Sequence, residues 1–216
     1  MCAPPCTTFS QCRHPALRSH ARPRGLVGLL GDAADQVRAA NLLVDNMCCL
    51  LEDASRQRIP WIIENPWASI LWSDRKIQKL AGDPSTSWCK LHMCAFGARW
   101  MKHTALLCSR IPDSSSLNRV CRPQRTGPHG VRICSYSGCP HIILRGRDSC
   151  GIHWTRRAQE YSPGFANELA RVMHNAAFTH ELSEIFGEKR KLWEPPLSIA
   201  AKLGRAPQVQ EVEPSR

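Results

Sequence analysis

The sequence predicts an α/β domain that carries a basic, loop-rich recognition region. Three observations lead there. An amphipathic helical pattern covers 33–56, a short and fully apolar run at 60–63 stops against Glu64-Asn65-Pro66, and positive charge concentrates over 99–157. With 216 residues, 43% hydrophobic and 22% charged, the chain is long enough for one domain with a core. We place that domain at 1–194 and a disordered tail at 195–216, where the chain turns Pro-rich and poor in aromatics.

The elements follow in order. Residues 1–31 are rich in Pro, Arg and Ser and read as a long loop. Ala33, Val37, Ala40, Val44, Met47, Leu51 and Ala54 are spaced alternately by four and three, which makes one stripe on a helix. Asp32 is its expected N-cap. Pro60-Trp61-Ile62-Ile63 suits a buried parallel strand with both faces covered, ended by Pro66. Glu64 then sits just past the carboxyl end of that strand, the edge at which open α/β sheets bind ligands. A helix is expected over 67–80, short strands over 88–97 and 104–108, and a loop over 111–130. Ile142-Ile143-Leu144 reads as a further strand. A last helix starts with Ser162 as N-cap and Pro163 at its first position. It turns Phe165, Leu169, Val172 and Ala176 inward and stops at Gly187.

Twenty-nine Lys and Arg against eighteen acids give a net charge of +11. Between 99 and 157 there are eleven basic residues and two acids, Asp113 and Asp148, so this stretch holds +9 of that charge. Polyanions are the expected partners, nucleic acid ahead of a membrane surface. No apolar run is long enough to span a bilayer. Twelve cysteines without a secretory h-region read as reduced thiols. We therefore expect an intracellular protein, nuclear or cytoplasmic and not secreted. The four arginines and no acid in the first 31 residues also fit an organelle transit peptide, but a working loop explains them better.

Four segments carry the candidate chemistry: Ala3-Pro4-Pro5-Cys6-Thr7-Thr8-Phe9-Ser10, Ile63-Glu64-Asn65-Pro66, Cys94-Ala95-Phe96-Gly97 with Lys102-His103-Thr104, and the stretch 155–163. In this order they resemble the DNA cytosine-5 methyltransferases, in a divergent, phage-like branch, over residues 3–172. Pro-Pro-Cys followed by Phe-Ser resembles the nucleophile loop. Glu-Asn resembles the second catalytic motif, with Pro66 where Val is commoner. The resemblance implies a partial Rossmann-like methyltransferase fold and S-adenosylmethionine as cofactor. It also implies a flipped cytosine in DNA as substrate, Cys6 as the thiolate that adds to C6, and Glu64 as the carboxyl group on the Watson–Crick edge.

The sequence departs from that family in one large respect. The family's Phe-x-Gly-x-Gly turn and the acidic residue after its second strand precede the nucleophile loop, yet only five residues precede Cys6 here. Gly25-x-x-Gly28-x-x-Gly31 has the wrong spacing and follows no strand. We therefore expect an N-terminally truncated fold that lacks its first strands. It is inactive alone or completed by a second chain that supplies the cofactor-binding half. An exposed strand edge is expected at the break.

The basic stretch offers two further candidates. Arg122, Arg125, Arg132, Arg145 and Arg147, set among Gly, Pro and Ser, are expected to face phosphates. Cys134, Cys139, His141 and Cys150 have residue types that could close a tetrahedral zinc site, although reduced loop cysteines explain the same pattern. The competing expectation to an enzyme is thus a non-catalytic basic nucleic-acid-binding protein, stapled by zinc.

Overall fold

In the computed structural model, residues 1–126 and 131–192 are described. The chain divides into two units, Met1–His180 and Glu181–Arg216. The described part of the second unit is the continuation of a helix, and the expected tail at 195–216 lies outside the described residues.

Helix α1 (Gly31–Arg56) buries Val37, Ala40, Val44, Met47, Cys48 and Leu51, the central five residues of the stripe read from the sequence with Cys48 added, while Ala33 and Ala54 at its ends are half-buried. It starts two residues earlier than expected. Its cap position is Leu30 and contributes no side-chain bond, while Asp32 lies inside the first turn. Strand β1 (Trp61–Pro66) follows, then a 3-10 turn (Ile70–Ser73) and α2 (Arg75–Ala81), whose cap Asp74 accepts from the Lys76 amide at 2.9 Å. The single helix expected over 67–80 is thus split by Ser69 and Asp74, which bond local amides and restart the chain. Strands β2 (Thr86–His92) and β3 (His103–Ser109) flank a 3-10 turn at Met93–Phe96.

The sheet runs β1-β3-β2, and both pairings are antiparallel. This corrects the parallel strand expected at 60–63. Burial on both faces explains the apolar run, but it does not fix strand direction. Parallel pairing survives at one place. Cys2 donates to the Ile62 carbonyl and accepts from the Glu64 amide, both at 2.8 Å, in a bridge between Cys2 and Ile63. The fold is therefore mixed helix and strand around a small antiparallel sheet.

Alternate residues of the strands feed two cores. Ile63 and Leu107 pack with α1, α2 and Phe9, whereas Ile62, Leu91 and Leu106 pack with Phe165, Leu169, Val172 and Ala176. The latter four belong to α4 (Pro163–Leu192) and are the inward face expected. Ser162 caps it, as read, and the helix continues past Gly187 to Leu192. Between the sheet and α4 the chain makes a 3-10 turn (Ser114–Leu117), a hairpin of β4 (Gln124–Thr126) and β5 (Val131–Ile133), and one helical turn, α3 (Trp154–Arg157). Residues 142–144 form no strand.

The first thirty residues are irregular, as expected, but they are anchored. Arg18 is 2% exposed. Its guanidinium lies 3.9 Å over the Phe9 ring and donates to the Asn41 side chain and the Val37 carbonyl on α1. Burial, and then the neighbouring Arg24, lower its pKa to about 10. Arg24 bridges Asp45 of α1 and Asp74.

Candidate active site

Strand β1 extends through Pro66, so Glu64 and Asn65 lie within the strand and are 6% and 1% exposed. The pleat sends them to opposite faces. Asn65 Nδ2 donates to the Pro4 carbonyl at 2.9 Å and so ties β1 to the loop that carries Cys6. Cys6 closes a turn by accepting from the Phe9 amide at 3.1 Å, and the Phe9 carbonyl accepts from Ile70 at 2.9 Å. Cys6 is half-buried and free. Its loop is held on one side by Asn65 and on the other by Phe9 under Arg18.

Glu64 faces the second core. The Tyr161 hydroxyl, two residues before α4, donates to its Oε2 at 2.9 Å, and Lys102 Nζ stands 3.9 Å from Oε1. That spacing is too long for a hydrogen bond, and Oε1 is buried with no hydrogen-bond partner among the described residues. Burial raises the Glu64 pKa above the ordinary 4.5, against the pull of Lys102 and the Tyr161 bond. Burial and the Glu64 charge push the Tyr161 hydroxyl upward, and the Cys6 thiol adds to that push. Thr104, on the same side of β3 as Lys102, is fully buried with its Oγ1 also unpartnered. An orphaned buried acceptor costs about 1–3 kcal/mol, so two at one sheet end mark a place where a polar ligand relieves a standing penalty. The sequence singled out Cys6 and Glu64. It missed Tyr161 as a site residue, although the segment that contains it was noted.

The expected S-adenosylmethionine has no fit among these residues. A Cβ on Gly25 would meet Val37 Cγ1 at 2.9 Å, so that glycine serves loop packing. Gly28 and Gly31 face open space and form no cradle.

In the basic region, Arg122, Arg132, Arg145 and Arg147 are exposed, whereas the Arg125 side chain lies outside the described residues. The hairpin register sets Arg125 opposite Arg132. Arg147 donates to the Gly151 carbonyl at 2.8 Å and so bonds within its own loop.

Of the four expected zinc ligands, the structure brings Cys134 and His141 together. It joins them to Cys94 and Cys121, two residues the sequence reading did not select. Cys139 and Cys150 are exposed and lie outside this group. Spacing within 134–150 could not reveal partners that arrive from a turn forty residues upstream and from the loop before β4.

Comparisons with family models, curated proteins and solved structures returned no match.

Proposed function

We propose that this chain carries the base-activating half of a DNA cytosine-5 methyltransferase-like reaction. The observation that supports it most is the buried Glu64, held by Tyr161 at one oxygen and without a hydrogen bond at the other, on the strand whose next residue, Asn65, ties down the loop that carries Cys6. In this reading a flipped cytosine enters with its Watson–Crick edge toward Glu64. The Cys6 thiolate forms a bond to C6. The C5–C6 pair shifts to C4–C5, and the C4–N3 pair takes a proton that the Glu64 carboxyl group supplies in this reading. C5 is then a nucleophilic enamine carbon. Tyr161 fixes which carboxyl oxygen holds the proton, and Lys102 balances the carboxylate left behind. S-adenosylmethionine would be the methyl donor, held outside these 216 residues by another segment or a second chain. The exposed arginines would position the duplex through its phosphates.

Activation of C5 can be measured without a donor. Addition at C6 lets C5 take a proton from water and lose its own, so DNA labelled with tritium at C5 should release label. Cys6→Ser should abolish release and keep DNA binding. Release that survives Cys6→Ser would remove Cys6 from the chemistry. DNA binding with no release from the unsubstituted chain would favour the second reading, a non-catalytic basic nucleic-acid-binding protein. The exposed Arg122, Arg132, Arg145 and Arg147 support that reading equally well.

A further inference from the structure

The geometry points to a closed zinc site made by Cys94, Cys121, Cys134 and His141. It holds whether or not Cys6 is catalytic. The four donor atoms all lie within 4.8 Å of one another. Cys121 Sγ is 3.7 Å from Cys134 Sγ and 3.7 Å from His141 Nε2. Two thiolates bound to one tetrahedral zinc at about 2.3 Å stand about 3.7–3.8 Å apart, the separation seen here. A disulfide would hold its sulfurs at about 2.05 Å, and packing alone gives no reason for a histidine nitrogen to join three sulfurs.

The surroundings agree. Cys94, Cys121 and Cys134 are each 2–3% exposed and form a small core of their own, with only Met101 packed against it. Donors from the protein point at the sulfurs. The Tyr136 amide lies 3.4 Å from Cys134 Sγ, and the Ser135 hydroxyl lies 3.4 Å from Cys121 Sγ. Such contacts stabilise bound thiolates and orient them. The Cys121 amide donates to His92 Nδ1 at 3.0 Å, which fixes the backbone of that ligand. Three sulfurs and one nitrogen complete a tetrahedron and leave no position for water or substrate, so the site is structural.

Its place in the fold gives it work. Cys94 belongs to the 3-10 turn between β2 and β3, whereas Cys121 and Cys134 bracket the β4–β5 hairpin. Strands of three residues cannot hold a hairpin alone. A metal joining both its ends to the main sheet fixes Arg122 and Arg132 relative to β1.

The test uses the full chain, purified without chelator, with metal analysis followed by exchange into cobalt(II). We expect one zinc per chain and, after exchange, the visible bands of tetrahedral cobalt with thiolate charge transfer. Cys139→Ser and Cys150→Ser should leave both unchanged. His141→Cys turns three thiolates into four and should raise the charge-transfer intensity by about one third. That readout requires a gain and cannot come from misfolding. A chain that carries no zinc and takes up no cobalt overturns the proposal. So does a spectrum that Cys139→Ser or Cys150→Ser abolishes, or one that His141→Cys leaves unchanged.

Discussion

Glu64 is the residue on which energetics and chemistry meet. Its folded pKa lies above the ordinary 4.5 because burial penalises the carboxylate. Between those two values the folded state holds a proton that the unfolded state has lost. The contribution of Glu64 to stability is therefore greatest below about pH 4.5 and falls as pH rises through the folded value. Glu64→Gln removes this dependence and still accepts from Tyr161. Urea unfolding should show the variant near the parent chain at pH 4 and more stable than it at pH 8. Equal stability at both values would mean that burial does not tax this carboxylate. At this scale the sequence was informative about identity and poor about placement. Glu64 stood out by its neighbours, but as the end of a strand rather than a buried member of it. Its partner Tyr161 comes from 97 residues away, a distance that no local pattern reports.

At the scale of elements, α4 is set against the turn Met93–Phe96 with no room between them. Ser162 Oγ donates to the Phe96 carbonyl at 2.8 Å, and a Cβ on Gly164 would meet that same oxygen at 2.5 Å. Gly164→Ala must therefore push the first turn of α4 outward, and Tyr161 with it. The expected loss is about 1–3 kcal/mol, the usual cost of overpacking. It is measured by chemical unfolding, and tritium release from C5 should fall alongside. A neutral substitution would show that the helix is free to slide. The helices were legible because a 3.6-residue stripe is a local signal, and α1 and the inner face of α4 appear as read. Strand direction was not. A run buried on both faces has the same composition in either orientation, and β3 fixes the pairing only from forty residues downstream.

For the molecule as a whole, charge is the property with the longest reach. Exposed Arg122 and Arg132 lie on the hairpin whose ends the sulfur cluster gathers. If both touch phosphates, Arg122→Ala with Arg132→Ala should make the log–log salt dependence of DNA binding shallower by about 1.8. A titration across a salt series reads this directly. An unchanged slope would assign the basic surface to solvent and leave Cys6 and Glu64 as the grounds for a nucleic-acid substrate. The charge asymmetry was plain in the sequence. The constellation that fastens it was half visible, because Cys94 and Cys121 join it through the fold and not through spacing.

The bond from Asn65 to Pro4 spans 61 residues, and the one from Tyr161 to Glu64 spans 97. Read in time, these lengths set an order of assembly. The hairpin of β2 and β3 closes a short loop and can form early. The Cys6 loop must wait for β1, and the carboxyl group must wait for the approach to α4, because longer closures cost more entropy before any contact repays it. The two bonds that fix the Cys6 loop and the Glu64 carboxyl group are thus among the later contacts to form. A chain still emerging, or one locally opened, holds the Cys6 loop without its tie to Asn65 and Glu64 without its Tyr161 partner.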